Sequence, residues 1–210
     1  MTNQISLSSY VKLCQNQLMV DGVLVFEKTG VSASDFLLKA YEHFQINYPK
    51  FFKMDNLCKT GFLVSELLLR NQNLNERYQP EEIGVIFSNA NSSLDTDVKY
   101  EASIAQAPSP SLFVYTLPNV LIGEICIRQR IKGEAACFVF DIFDPCFQRD
   151  YVHSLYETRK VKAVVSGWAD CYNEKAEAFF YLAEMKEEGG MEHTTENIEQ
   201  LWNNLNSLNS

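Results

Sequence analysis

A run of five residues, 83–87, reads Ile-Gly-Val-Ile-Phe and constrains the fold more than any other stretch of the chain. A strand of this composition points apolar side chains toward both faces of its sheet, whereas a strand with one wet face alternates apolar and polar residues. Residues 136–143 form a second apolar run, which we also interpret as a buried strand. Both runs predict a sheet that has other layers of secondary structure on each side.

Segments with helical spacing of apolar residues separate these strands. The clearest helix start is Asp144-Pro145, since an N-cap aspartate followed by proline commonly begins a helix, which here should extend to about residue 160. We predict further helices over 34–44, 54–69, 100–107 and 119–128, and further strands over 5–13, 23–26, 161–170 and 176–185. This order predicts an α/β domain with a mixed sheet of about five strands covered by helices on both faces.

The C-terminal end of the chain has a separate character. We expect a main domain over residues 1–188, and a linker at Gly189-Gly190 with an amphipathic helix over 189–210. The helix carries one apolar stripe at helical spacing, formed by Ile198, Leu201, Trp202, Leu205 and Leu208. We expect this stripe to pack on its own domain, and the alternative is a docking helix for a partner.

Charge excludes several classes of partner. The chain has 210 residues and a net charge of −9, which argues against nucleic acid and anionic membranes because both select basic surfaces. No apolar run approaches the roughly 18 residues of a membrane span. Met1-Thr2-Asn3-Gln4 has no cationic region before an apolar core, so we expect no signal peptide and a cytoplasmic protein.

The cysteines and histidines do not suggest a metal or a cofactor. No two of the six cysteines form a C-x-x-C pair, and the three histidines, His43, His153 and His193, lie far apart. We therefore expect no zinc site and no bound cofactor, and buried free thiols rather than disulfides.

Four segments in order carry a resemblance to a known family. The stretch from Leu117 to Gly133 resembles the segment that leads into the catalytic cysteine of β-ketoacyl synthases. Residues 49–55 resemble the basic-aromatic segment ahead of that family's first long helix, 83–89 the strand and turn after it, and 166–170 its Gly-Gly-x-Glu strand. From about Gln4 to Met185 the chain is thus similar to the N-terminal half of a thiolase-fold condensing enzyme.

A narrower resemblance concerns residues 113–119 and 167–170. Both are similar to small ketosynthase-like proteins found with aryl polyene or flexirubin-type pigment genes in Bacteroidetes, which are commonly labelled 3-oxoacyl-acyl-carrier-protein synthases. Such a label does not establish an activity.

The resemblance places an apolar residue at the position of the family's nucleophile. The cysteine of the family follows the glycine by about nine residues, and the same count from Gly133 ends at Ile142, as does a count of about twenty-five back from Gly167. An isoleucine cannot attack a thioester. The family also takes two histidines from its C-terminal half, which we expect these 210 residues not to include.

Two other residues could carry chemistry. Cys146 lies in the first turn after Asp144-Pro145, where a helix N-terminus favours a thiolate, and is the best substitute thiol. We nevertheless expect Cys146 and Cys137 to be packing residues. His153 is a general-base candidate in the same helix, but we interpret it as part of a solvated face.

The helix over 144–160 also indicates how the chain associates. Phe147, Tyr151, Val152 and Leu155 form one apolar stripe, and the remaining positions form a wide polar face, consisting of Gln148, Arg149, Asp150, His153, Glu157 and Thr158. We expect that face to meet water or a wet, transient interface, and the chain alone to be a monomer or a weak dimer.

Three functions follow. The first is a non-catalytic accessory subunit that assists a full-length ketosynthase, a chain-length-factor-like protein or an acyl carrier protein in fatty-acid or aryl polyene assembly. The second is a free-standing acyl-chain binder that uses Phe113, Tyr115 and the apolar helices as a pocket, and the third is an acyltransferase that uses Cys146. Acyl carrier proteins are acidic, and the basic residues that could meet one are Lys50, Lys53, Lys59, Arg128, Arg130, Lys132, Arg159, Lys160 and Lys162.

Overall fold

The computed structural model describes residues 4–105, 107–158, 161–186 and 190–204. The strands are β1 (Gln4–Cys14), β2 (Gln17–Val20), β3 (Val23–Glu27), β4 (Ile83–Asn89), β5 (Ala135–Val139), β6 (Ala163–Tyr172), β7 (Lys175–Lys186) and β8 (Met191–Glu192). The helices are α1 (Ala33–His43), α2 (Asn56–Leu69), α3 (Leu74–Arg77), α4 (Leu94–Ile104), α5 (Pro110–Val114), α6 (Val120–Gln129), α7 (Pro145–Glu157) and α8 (Thr195–Asn203). None of these helices is long and apolar enough to cross a membrane.

All the described strands form one mixed sheet. Their order is β3-β2-β1-β7-β6-β4-β5, and β8 pairs with the N-terminal end of β1. β4 runs parallel to β5 and to β6, whereas β7 runs antiparallel to both β6 and β1. The strands predicted from the sequence correspond to β1, β3, β4, β5, β6 and β7, and the structure adds β2 and β8 to the sheet.

Helices cover both faces, as the apolar runs predict. Side chains of α1, α2 and α6 pack on one face, and side chains of α7 and α8 pack on the other. β4 shows the reason directly, because Val85 and Phe87 belong to the first of these cores and Ile86 to the second. Every residue of β4 is buried. The expected α/β class, with a mixed sheet between helical layers, is confirmed.

Local capping residues set where the helices begin. Asp144 is the N-cap of α7 and its side chain accepts a hydrogen bond from the Phe147 amide at 2.9 Å, with Pro145 as the first helical residue. Asp55 caps α2 in the same way, so α2 begins at Asn56 rather than at residue 54. The stripe of α8 packs on its own domain through Ile198 and Leu201, both buried, while Leu205 and Leu208 lie outside the described residues.

Two expectations about the bounds of elements were wrong, and short elements such as β2 were missed. The strand predicted over 136–143 ends at Val139, because only residues 135–139 have β4 as a pairing partner. The helix predicted over 100–107 begins earlier, at Leu94, so the polar cluster before it is a short turn. The strand Gln17–Val20 was missed, since four residues are too few for a clear alternation.

Candidate functional site

The position aligned with the family's nucleophile lies in a loop. Residues 140–144 connect the end of β5 to the start of α7, at the edge of the sheet where the parallel strands β4 and β5 both end. The Phe140 amide donates to the Asn89 carbonyl at 2.9 Å and ties the loop to the end of β4. Ile142 is 75% exposed, whereas Phe143 beside it is buried. Ligand sites of α/β sheets commonly lie at this edge.

Cys146 is the nearest thiol in the chain to this loop. It is exposed, in the first turn of α7, and its Sγ lies 3.8 Å from Oδ2 of Asp150, one turn further along. The neighbour of the thiol is therefore a carboxylate rather than the histidine or cation that commonly activates a nucleophilic thiol. That Cys146 acts as a packing residue stays a prediction, although its exposure shows that the core does not require it.

A buried amide lies under α7, directly behind the loop. Gln148 is fully buried, and its Nε2 donates to Oγ of Ser88 at 2.9 Å and to the Gly167 carbonyl at 3.2 Å. Its Oε1 accepts from Oγ of Ser166 at 2.5 Å. The expectation that Gln148 lies on the wet face of this helix was wrong, because its side chain connects α7 to strands β4 and β6.

The polar contacts continue from β6 to the surface. Ser166 lies directly opposite the buried Tyr181 in the pairing of β6 with β7, and Nε2 of His193 lies 3.1 Å from the Tyr181 oxygen. His153 of α7 then contacts the His193 carbonyl through its Nε2 at 3.2 Å, and the two imidazole rings stack at 5.3 Å. Burial lowers the pKa of His193 to about 3, with smaller effects from the neighbouring His153 and Arg149.

His153 is partly buried against His193, so its face of α7 is less solvated than expected. It also lies two helical turns from Cys146, a rise of about 10 Å along the axis at ~1.5 Å per residue. A general base must come within about 3 Å of the proton that it removes. The pair of Cys146 and His153 is therefore not arranged as a nucleophile and its base.

The two aromatic residues proposed for an acyl pocket have different surroundings. Phe113 is 59% exposed and contacts Tyr100 of α4, whereas Tyr115 is buried. Burial and the nearby Glu124 raise the pKa of Tyr115 well above its usual range. Three surface cavities are lined by other residues, beside Leu69, Arg70 and Met185 respectively. Neither Phe113 nor Tyr115 lines any of these three cavities.

Four of the seven candidate basic residues that the structure describes are engaged in ion pairs. Four pairs tie these side chains to carboxylates: Lys50 to Glu124, Arg128 to Glu66, Lys132 to Glu81 and Lys162 to Glu82. Burial lowers the pKa of Lys59. Arg159 and Lys160 lie outside the described residues. Little unpaired positive charge therefore remains among the described candidates, essentially that of Lys53, Lys59 and Arg130.

The other cysteines lie in the core or close to it. Burial raises the pKa of Cys126 and of Cys137 to about 11, and that of Cys171 to about 12. Cys58, which is nearly inaccessible, also has a raised pKa through burial and the adjacent Asp55. Each of these groups remains a thiol at neutral pH. Across the described parts of the chain, no cluster of three His, Cys, Asp or Glu side chains could hold a metal ion.

Sequence reasoning missed Gln148, Tyr181 and His193 as a connected group. A signal existed for Gln148, because it shares one helical face with Val152 and Leu155 at i+4 and i+7. No comparable signal marked His193, which the structure buries to 1% exposure by laying β8 against β1.

Two glycines of the family-like segments have a physical role in this arrangement. A Cβ on Gly167 would lie 1.9 Å from the Phe179 carbonyl oxygen, and one on Gly133 would lie 2.3 Å from the Ile83 carbonyl oxygen. Both residues stand where backbone passes too close for a side chain. The spacing of these glycines around Ile142 therefore reflects strand packing that the fold requires.

Solved structures with this architecture are ketosynthases and related complexes. The ishigamide ketosynthase/chain length factor superposes with a TM-score of 0.63 at 12% identity, covering 89% of this chain and 63% of that one. A ketosynthase (ApeO) in complex with its chain length factor (ApeC), from Xenorhabdus doucetiae, superposes with a TM-score of 0.57 at 10% identity. That match covers 87% of this chain and 79% of the other. A structure of a type II polyketide synthase acyl-carrier protein in complex with its ketosynthase superposes with a TM-score of 0.61 at 11% identity. That match covers 89% of this chain and 64% of the other.

These comparisons define the fold class. The chain has a ketosynthase-like thiolase fold and spans about three-fifths of the length of the first of those structures. The expected resemblance to condensing enzymes is confirmed at the level of the fold. No protein-family model matches the sequence, and no curated protein matches it either.

Proposed function

We propose that this chain is a non-catalytic, ketosynthase-like accessory subunit that binds a full-length ketosynthase during fatty-acid or aryl polyene assembly. The observation that carries the proposal is Ile142, an exposed apolar side chain at the position where the resemblance expects a nucleophilic thiol. The nearest alternative, Cys146, contacts the carboxylate of Asp150, and His153 lies two helical turns away from it. A protein with this fold and no nucleophile contributes by binding, as the chain length factors named in the similar structures accompany a ketosynthase.

The edge strand β5 is the surface that best fits such a partner. Within the described residues it pairs only with β4, so its outer side presents unpaired backbone groups to an incoming strand. Val139 at its end is 53% exposed and Ile142 just after it is 75% exposed. An apolar, unpaired edge of this kind invites addition of a strand.

Charge favours a different protein over a second copy of this chain. Glu134 precedes β5, and Asp141 and Asp144 follow it. A second copy would carry the same acidic residues and the same net charge of −9, so two copies repel each other more than this chain repels a less acidic protein. Because four of the candidate basic residues already pair with carboxylates of this chain, the charges give weaker support to an acyl carrier protein as the direct partner.

The binding test uses two valines at opposite edges of the sheet. Val139→Asp should abolish co-purification with a ketosynthase from native cells under gentle salt, because it puts a charge into the apolar interface. Val23→Asp is the matched control, since Val23 is 63% exposed on β3 at the far edge. Loss of the ketosynthase with Val139→Asp alone is the expected result. Equal retention by both variants, or no ketosynthase with the unmodified chain, contradicts the proposal.

The catalytic test uses intact-mass measurement after incubation with an acyl thioester. We expect no acylation of the unmodified chain. Acylation that disappears in Cys146→Ser would indicate an acyltransferase. Acyl chains that a purified monomer retains without covalent attachment would indicate an acyl-chain binding protein. Both outcomes would overturn the accessory role as stated.

A further inference from the structure

The segment formed by β8 and α8 is held on the sheet by a small number of contacts. β8 is only two residues long and pairs with Ser6 and Leu7 of β1. On α8, Ile198 and Leu201 are the buried residues. At its C-terminal end, Lys12 of β1 lies over the Trp202 ring and donates a hydrogen bond to the Trp202 carbonyl. Short elements with few buried side chains open at lower free energy than the core does.

His193 lies between β8 and α8 and anchors the start of this segment. Its amide donates to the Ile5 carbonyl at 3.0 Å, and its ring is buried between His153 and Tyr181. Nε2 lies 3.1 Å from the Tyr181 oxygen, but Nδ1 is buried without a partner in the described part of the chain. A neutral imidazole that carries its proton on Nε2 leaves only the acceptor lone pair of Nδ1 without a partner, and no N–H of the ring is left unsatisfied.

We propose that His193 is an acid-sensitive latch: its neutral form holds residues 191–203 against the sheet, and its protonation releases them. Protonation puts an N–H on both ring nitrogens, and Nδ1–H then points into a site without an acceptor. Leaving a charged donor buried and unsatisfied is costly, and the imidazolium regains its hydration only when the segment leaves the sheet. The inference concerns the chain itself and does not depend on the accessory role.

The charged groups around His193 reinforce this response. From α7 it faces His153 and Arg149, both able to carry positive charge, and from β7 it faces the neutral Tyr181. The adjoining stretch of β1, Ile5 to Leu7, carries no charged residue. Its own segment contributes Glu192, which is exposed, and Glu196, which interacts with Arg149. The cations nearest to the ring therefore oppose its protonation in the closed state.

The linkage between proton binding and release of residues 191–203 gives the direction and the size of the pH dependence. The pKa of His193 is about 3 in the closed state and would be about 6.5 once exposed, so the released state binds the proton more tightly. The closed state is thus most stable relative to the released state above pH 6.5, and this stability decreases as the pH falls from 6.5 toward 3. Between pH 7.5 and pH 5 the ratio of released to closed chains should rise about 30-fold.

Release would uncover a group of aromatic side chains. Trp202 lies 4.8 Å from Phe143, 5.9 Å from Phe179 and 6.5 Å from Trp168, measured between ring centroids. Phe143 immediately follows Ile142 in the loop that begins α7. Opening the latch therefore exposes an apolar surface next to the candidate functional site.

The test measures hydrogen exchange of the full chain between pH 7.5 and pH 5, corrected for the pH dependence of chemical exchange. Opening of peptides within 191–203 should rise about 30-fold, while those of α2 stay protected. His193→Gln removes the titrating ring and should remove this response, whereas His43→Gln, at an exposed position of α1, should retain it. A response of equal size in His193→Gln, or one shared by α2, overturns the latch.

A second variant guards against failure of His193→Gln to fold. Lys12→Met loosens the other end of α8 and leaves the imidazole untouched. It should raise opening by the same factor at pH 7.5 and at pH 5, and so leave the 30-fold ratio intact. A ratio that collapses in Lys12→Met would place the pH response at Lys12 instead of His193.

Discussion

At the scale of single residues, the buried polar groups distinguish this chain from a purely apolar sandwich. Gln148 satisfies two serine hydroxyls and one backbone carbonyl at once, although it lies on a helix that otherwise buries apolar side chains toward the sheet. Buried polar groups are tolerated only when each of them has its partners. The hydrogen bonds of this one amide therefore hold α7 in position on strands β4 and β6.

Gln148→Leu should lower the free energy of unfolding by about 2–3 kcal/mol. The leucine has a similar size but leaves Ser88, Ser166 and the Gly167 carbonyl without their buried partner. Urea unfolding followed by circular dichroism measures the change. Gln200→Leu, at an exposed position of α8, makes the same substitution and should change stability by less than about 0.5 kcal/mol. Similar losses in both variants would mean that the buried contacts contribute little.

At the scale of elements, the start of α7 determines the geometry of the candidate site. Asp144 caps the helix, Phe143 turns inward under α8, and Ile142 points outward from the same loop. The loop can hold these opposite orientations because the helix begins at a fixed residue. A helix beginning one turn earlier or later would move Cys146 and Gln148 away from their observed positions.

Asp144→Ala should cost about 1 kcal/mol and fray the first turn of α7, because the Phe147 amide loses its acceptor. Hydrogen exchange of the first turn and thermal unfolding both report this loss. Asp141→Ala, an exposed aspartate of the same loop without a capping role, is the matched control and should leave both readouts unchanged. Equal effects of the two substitutions would argue against the cap as the determinant of the helix start.

At the scale of the whole molecule, the net charge and the solvent-exposed face of α7 oppose association of one copy of the chain with another. Cys146, Asp150, Ser154 and Glu157 are exposed along that helix, as expected for a surface that meets water. The net charge of −9 also repels copies from one another. Neither property fits an obligate dimer with α7 at its centre, which would need a more apolar surface.

Static light scattering should therefore report a monomer for the isolated chain at physiological salt. A weak dimer that appears only at high salt is compatible with this expectation, since salt screens the repulsion between acidic copies. A tight dimer at low salt that persists in Glu157→Arg and Asp150→Arg variants would contradict it. Cross-linking mapped to α7 would then locate the interface.

Much of the fold could be read from local patterns, and much of the site could not. The apolar run 83–87 identified a strand that is buried on both faces, and Asp144-Pro145 identified the start of α7, because backbone conformation and capping act within a few residues. The end of β5 at Val139 depends instead on where β4 stops offering partners. Long-range pairing of this kind leaves no local mark in the sequence.

The sequence by itself determined that this chain builds a sheet between helical layers and that an isoleucine stands where the resemblance expects a thiol. Only the tertiary structure decided that Gln148 turns inward, that α8 closes over Phe143, and that His193 is buried against Tyr181. The physical reason is that periodicity and capping are set by neighbours along the chain, whereas the burial of a polar side chain depends on whether distant strands supply its hydrogen-bond partners.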